Sequence, residues 1–95
     1  MFFEKRLKTI RELLREVETL DADAGIRILG SFDGKNCFVF VSRTPRGYAA
    51  MVYARKKSSP GHPGRRVASV EFDGERETEG FIKQIAGEPV RAFVY

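Results

Sequence analysis

Residues 26–41 read IRILGSFDGKNCFVFV, two runs rich in β-branched and aromatic side chains hinged on Asp33-Gly34. An Asp-Gly pair between such runs is the strongest short hairpin signal: a type I′ turn needs positive φ at both central residues and matches the twist of the strands it joins. With Asp33 and Gly34 as the turn, Phe32 pairs with Lys35 and the register follows by counting. Gly30 then faces Cys37, Ile28 faces Val39 and Ile26 faces Val41 on one side of the sheet, while Leu29 faces Phe38 and Arg27 faces Phe40 on the other. One face is small and aliphatic; the other is aromatic and basic.

Working outward, Thr44-Pro45-Arg46-Gly47 is a Pro/Gly turn. A loop of even length, with Arg43 opposite Tyr48, pairs Val39 with Val52, Phe40 with Met51 and Phe38 with Tyr53, and so keeps the two faces distinct. An odd loop would flip the third strand and mix them. The even register is expected, because it gives a helix one clean surface to cover. Lys56 to Arg66 (KKSSPGHPGRR) reads as a long polar connection with cations at both ends, of the kind that is functional or disordered in compact domains. Val67 to Phe72 makes a fourth strand with Ala68, Val70 and Phe72 inward, and Asp73-Gly74 turns the chain again. Glu77 to Ala86 is a short helix burying Phe81, Ile82 and Ile85, capped by Thr78 and ended by Gly87. Val90 to Tyr95 is a final extended segment.

On the other side of the hairpin, Phe3, Leu7, Ile10, Leu14 and Val17 fall on one face at helical spacing, with Leu13 and Leu20 widening the stripe. An amphipathic helix from Phe2 to Leu20 is expected, ended by Asp21-Ala22-Asp23-Ala24-Gly25. It packs on the aliphatic face or against a helix of a second subunit. The fold class is therefore α+β in the order α-β-β-β-β-α-β: an antiparallel sheet of four or five strands with the first helix on one face.

The chain has 95 residues, which suits a single domain over 1–95 with a modest core. One cysteine, Cys37, excludes an internal disulfide framework, and with a single histidine no zinc site assembles from one chain. No cofactor is expected. No secretory signal or apolar membrane span is visible, and no basic amphipathic helix that would favour a lipid surface, so a cytoplasmic protein without a membrane partner is expected. Abundant Arg and few Asn and Gln are compatible with a thermophile.

The charge is segregated. Gly34–Val70 holds eight cations (Lys35, Arg43, Arg46, Arg55, Lys56, Lys57, Arg65, Arg66) and no Asp or Glu, so the net +4 is +8 inside this stretch and −4 outside it. The same stretch carries Phe38, Phe40, Tyr48 and Tyr53. Phosphates are drawn to such cations, and unstacked bases lie on such rings. Phe38, Phe40, Met51 and Tyr53, fringed by Arg27, Arg55 and the basic connection, form the candidate site for single-stranded nucleic acid. The alternative is that this face is a second core layer, covered by the second helix, the C-terminal segment or another subunit.

Arg46 to Tyr53 matches six of eight positions of the octapeptide of RNA-recognition motif domains. The expected stacking aromatic at its fifth position is Ala50, and a helix stands where that family begins with a strand, so the match reads as strand composition. Enzyme signals are thin. Cys37 sits mid-strand on the aliphatic face, as a core thiol does. His62 between two prolines could serve a small ribonuclease only with a partner. Glu71 and Asp73 lack the third carboxylate of a metal-dependent nuclease. No enzyme activity is expected.

A leading helix, a four-stranded antiparallel sheet with an aromatic and basic face, and a trailing helix resemble the ThermoDBP group, single-stranded DNA-binding proteins of thermophiles. The resemblance implies a cleft that takes up bases, here Phe38, Phe40, Met51 and Tyr53, and a rim that holds phosphates, here Arg27, Arg43, Arg55, Lys56, Arg65 and Arg66. It also implies assembly into a homo-oligomer, a dimer or tetramer, although the C-terminal zipper of the larger members is lacking. The sequence thus predicts sequence-independent binding of single-stranded DNA, or of RNA. The alternatives are an oligomeric adaptor module whose basic patch meets an acidic protein, and a small ribonuclease.

Overall fold

The computed structural model describes residues 5–56, 59–87 and 89–95, with the side chains of residues 56 and 59–62 outside that description. The elements are β1 (Lys5–Leu7), α1 (Ile10–Glu18), β2 (Gly25–Phe32), β3 (Lys35–Arg43), β4 (Tyr48–Lys56), β5 (Ser59–Phe72), α2 (Glu75–Ile85) and β6 (Ala92–Val94). They form an α+β fold with one six-stranded sheet in the order β1-β6-β2-β3-β4-β5, antiparallel at every pairing.

The central hairpins follow the expected register. Phe32 pairs with Lys35 and Ile26 with Val41; Arg43 pairs with Tyr48, Val39 with Val52 and Phe38 with Tyr53. Asp33 at φ 53° and Gly34 at φ 78° supply the two positive angles that a type I′ turn requires. The Thr44–Gly47 loop is closed by reciprocal backbone hydrogen bonds, Thr44 N–H to the Gly47 carbonyl at 2.9 Å and Gly47 N–H to the Thr44 carbonyl at 3.2 Å.

The chain start departs from expectation. The helix does not run from Phe2: Lys5–Leu7 is a strand paired with β6, and Phe2 and Phe3 lie outside the described residues. Leu7 is buried in the core as a strand residue, and a helical stripe would call for its burial as well, so its apolar spacing did not discriminate. Thr9 sets the true boundary. Its hydroxyl accepts the Glu12 N–H at 3.2 Å and donates to the Glu12 carboxylate, the Thr-x-x-Glu pattern that starts helices. Leu13 and Val17 of α1, and Leu20 just beyond it, then enter the core. Burying each such side chain contributes about 1.5–3 kcal/mol.

Both helices, not the first alone, lie on the aliphatic face. Ile82 and Ile85 of α2 join Ile26, Ile28, Val39, Val41, Ala50 and Val52, and Phe81 meets Phe32 and Phe72. Thr78 is buried one turn inside α2, where its hydroxyl donates to the Gly74 carbonyl at 2.8 Å; it is not the cap, and the helix starts at Glu75. Nor does Gly87 end it. The helix closes at Ala86, which bridges Gly30 on β2, and a Cβ on Gly30 would stand 2.2 Å from the Ile85 carbonyl oxygen. Glycine at that position lets the end of α2 reach the sheet.

β5 is longer than expected, because most of the segment read as a polar connection is strand from Ser59 onward. Its pairing with β4 is interrupted by register shifts between Val52 and Lys56. An edge strand accepts such bulges and prolines, which increase its twist and protect the edge from further pairing. No helix among the described residues is long and apolar enough to cross a membrane.

Candidate functional site

Strand alternation sends Arg27, Leu29, Phe38, Phe40, Met51, Tyr53 and Arg55 to the side of the sheet opposite α1 and α2. Paired residues share a side, so the register arranges this face in rows. One row runs Arg6, Phe93, Arg27, Phe40, Met51, Ser69; the next runs Leu29, Phe38, Tyr53, Arg66.

Phe40, Ser42, Met51, Tyr53, Pro63 and Tyr95 line a shallow concavity of about 410 Å³ on this face. Phe40 is its hub, meeting Tyr53 edge-to-face at 5.4 Å and Tyr95 at 6.4 Å. Met51 is 36% exposed and Tyr95 51% exposed. Among the described residues the Tyr53 hydroxyl finds only the Met51 sulfur, at 3.6 Å. Burial pushes the Tyr95 hydroxyl above the ordinary tyrosine pKa of 10, with Arg27 pulling the other way, so it stays a neutral phenol at neutral pH.

Two cations of this face sit over rings. The Arg27 guanidinium sits 5.0 Å over Phe93, and that of Arg55 sits 5.5 Å over Phe38. Such stacking orders a guanidinium without neutralising it. Arg65 and Arg66 are exposed on β5.

Two expected site residues are not open to a ligand on this face. Phe38 lies on the right face but is only 3% exposed, covered by the Arg55 guanidinium, so its ring is not offered as a platform. Arg43 shares parity with Val39 and Val41 and therefore points to the helix side. There it stacks on the Tyr48 ring at 4.9 Å and donates to the Tyr48 hydroxyl at 3.1 Å. The side chains of Lys56 and His62 lie outside the described residues. Cys37 is a buried thiol whose Sγ donates to the Lys35 carbonyl at 3.3 Å. Glu71 and Asp73 border a separate depression with Thr44, Pro45, Arg46 and Phe72. Among the described residues no three His, Cys, Asp or Glu side chains gather as a metal site would require.

No family model, curated protein or solved structure matches this chain. The site is accordingly read from its own geometry. The sequence reading missed Tyr95, Phe93, Arg6, Ser42 and Pro63. Tyr95 and Phe93 reach this face because β6 inserts between β1 and β2, and the alternation Ala92-Phe93-Val94-Tyr95 was the available local signal. Arg6 needed the unforeseen β1. Pro63 needed the bulged course of β5, which carries it to the rim.

Proposed function

We propose that this chain binds single-stranded nucleic acid, DNA or RNA, with little sequence preference, on the sheet face opposite the two helices. The observation that carries the reading is the concavity of Phe40, Met51, Tyr53 and Tyr95, open on the face that neither helix covers, where Arg27 pairs with Phe40, Arg66 pairs with Tyr53 and Arg55 lies two residues beyond Tyr53 on β4. Bases stack on Tyr53 and Tyr95 while the guanidiniums hold phosphates; each stacked base contributes roughly 1–3 kcal/mol irrespective of its identity. Duplex is disfavoured, because its bases are already stacked and do not reach the rings. Membership of the ThermoDBP group is part of the same proposal and rests on the order and character of the elements. Binding is non-catalytic.

The test is fluorescence anisotropy with a labelled mixed-sequence single strand of about 20 nucleotides beside its duplex, at several salt concentrations. Single strand should bind more tightly. Its log affinity should fall with log salt at a slope of about −3 to −5, for four to seven phosphates at roughly 0.7 each. Equal binding of both forms would leave only a basic patch, and no binding at moderate salt would remove the reading.

Val67, 47% exposed on the edge strand, favours a second reading, in which β5 contacts another copy of the chain in a homo-oligomer or an acidic protein partner. Sedimentation equilibrium of the wild type and of Val67→Lys separates these cases.

A further inference from the structure

A second concavity lies at one end of the same face, where the chain passes from α2 into β6. Leu29, Gly30, Ser31, Asn36, Arg55, Gly87 and Arg91 line its volume of about 300 Å³. Its construction follows from the fold. Gly30 admits the end of α2, the chain then turns back, and the Leu29 N–H bonds the Arg91 carbonyl at 2.8 Å, which fixes Arg91 beside β2. Ser31 pairs with Asn36 on β3, and Arg55 follows Ala54, the partner of Cys37, on β4.

The chemistry of the lining is one-sided. Two arginines, an asparagine and a serine are among the residues that line it, and no carboxylate is among the described ones. Arg55 is neutralised by no described carboxylate: its stacking contact is the Phe38 ring, and its Nε is buried with no hydrogen-bond partner among the described residues. Two forks of N–H donors with small neighbours suit a compact anion with several oxygens, and a dianion better than a monoanion.

We propose that this pocket holds a phosphate monoester, the terminal phosphate of a strand lying on the aromatic face. The proposal rests on the nucleic-acid reading. Asn36 is four residues along β3 from Phe40, a span of about 13 Å at 3.3 Å per residue, so one strand reaches both the stacking rings and the pocket. The ring concavity takes bases without regard to sequence, and the pocket adds a preference for a strand end.

The experiment compares three internally labelled decanucleotides of one sequence, carrying a 5′-phosphate, a 3′-phosphate or hydroxyls at both ends. One phosphorylated form should bind about tenfold more tightly than the hydroxyl form, as two added charge-assisted contacts allow. Arg91→Gln and Asn36→Asp should each abolish that gain and leave the hydroxyl form within about twofold. If the hydroxyl form binds but neither phosphate improves it, or if the gain survives both substitutions, the pocket assignment is overturned while the stacking face stands. If no strand binds, the stacking face fails, and inorganic phosphate titrated into isotope-labelled protein judges the pocket alone. A shift of the Asn36 side-chain amide resonance at millimolar phosphate supports the pocket; an unmoved resonance overturns it.

Discussion

Along β3, Cys37, Val39 and Val41 point to the helices and are buried, while Phe40 and Ser42, one residue out of step, line an open concavity. The same contrast separates two tyrosines of β4. On the helix side the Tyr48 hydroxyl donates to the Val17 carbonyl at 2.9 Å and accepts from Arg43 at 3.1 Å, so its polar tip is matched by protein. On the other side, the Tyr53 hydroxyl bonds only the Met51 sulfur among the described residues. A core tyrosine is recognised by its satisfied hydroxyl and covered ring; a site tyrosine leaves both available. One sheet thus carries a finished core on one face and an unfinished surface on the other.

The contrast is broken most severely by putting one charge on each face. Val39→Asp buries an unpaired carboxylate and should unfold the domain, by at least about 4 kcal/mol. Met51→Asp on the open face should leave the circular dichroism spectrum and melting temperature near wild type and abolish single-strand binding. Gly30→Ala should destabilise by about 1–3 kcal/mol in a denaturant titration, because the new methyl meets backbone and not a mobile side chain.

Tyr53→Ala and Tyr95→Ala should each weaken single-strand binding by about 1–3 kcal/mol in anisotropy titrations, the loss of one stacked base. Tyr48→Ala would confound that comparison by opening the core. Tyr48→Phe is the cleaner partner. It should cost about 1 kcal/mol of stability, since the Val17 carbonyl keeps the Leu20 N–H, and it should leave binding unchanged.

The smallest effect is in pH. Burial raises the Tyr48 pKa above 10, with Arg43 opposing and Glu75 and Glu79 adding to the rise. The folded state therefore holds this proton more tightly than the unfolded chain. The associated stability is complete below pH 10 and is lost as pH climbs through the folded pKa. Chemical denaturation between pH 9 and 11 should show a steeper decline for the wild type than for Tyr48→Phe.

What the sequence disclosed divides along the same lines. The β2–β3–β4 pairings were legible because Asp33-Gly34 and a four-residue loop fix register locally, and alternation then assigns each side chain to a face. The first strand was not, because Leu7 satisfies a helical stripe and a strand equally; Thr9 with Glu12 was the overlooked boundary. The open face was half legible. Phe40, Met51 and Tyr53 followed from register, whereas for Tyr95 the alternation Ala92-Phe93-Val94-Tyr95 marks a strand but not its pairing across most of the chain. Arg43 was assigned to the rim by charge, against its own parity with Val39 and Val41, and parity prevailed. Phe38 had the correct parity and failed on burial, since a guanidinium two residues beyond its cross-strand partner Tyr53 covers it.

The most direct measurement is a titration of the protein with a short unlabelled single strand, followed by the aromatic proton resonances of its tyrosines and phenylalanines. Tyr53, Tyr95 and Phe40 should move upfield as bases stack on them, while Tyr48, Phe32, Phe72 and Phe81 on the helix side stay in place. Unmoved resonances on Tyr53 and Tyr95, or equal shifts on both faces, would contradict the division of this sheet into a core and a binding surface.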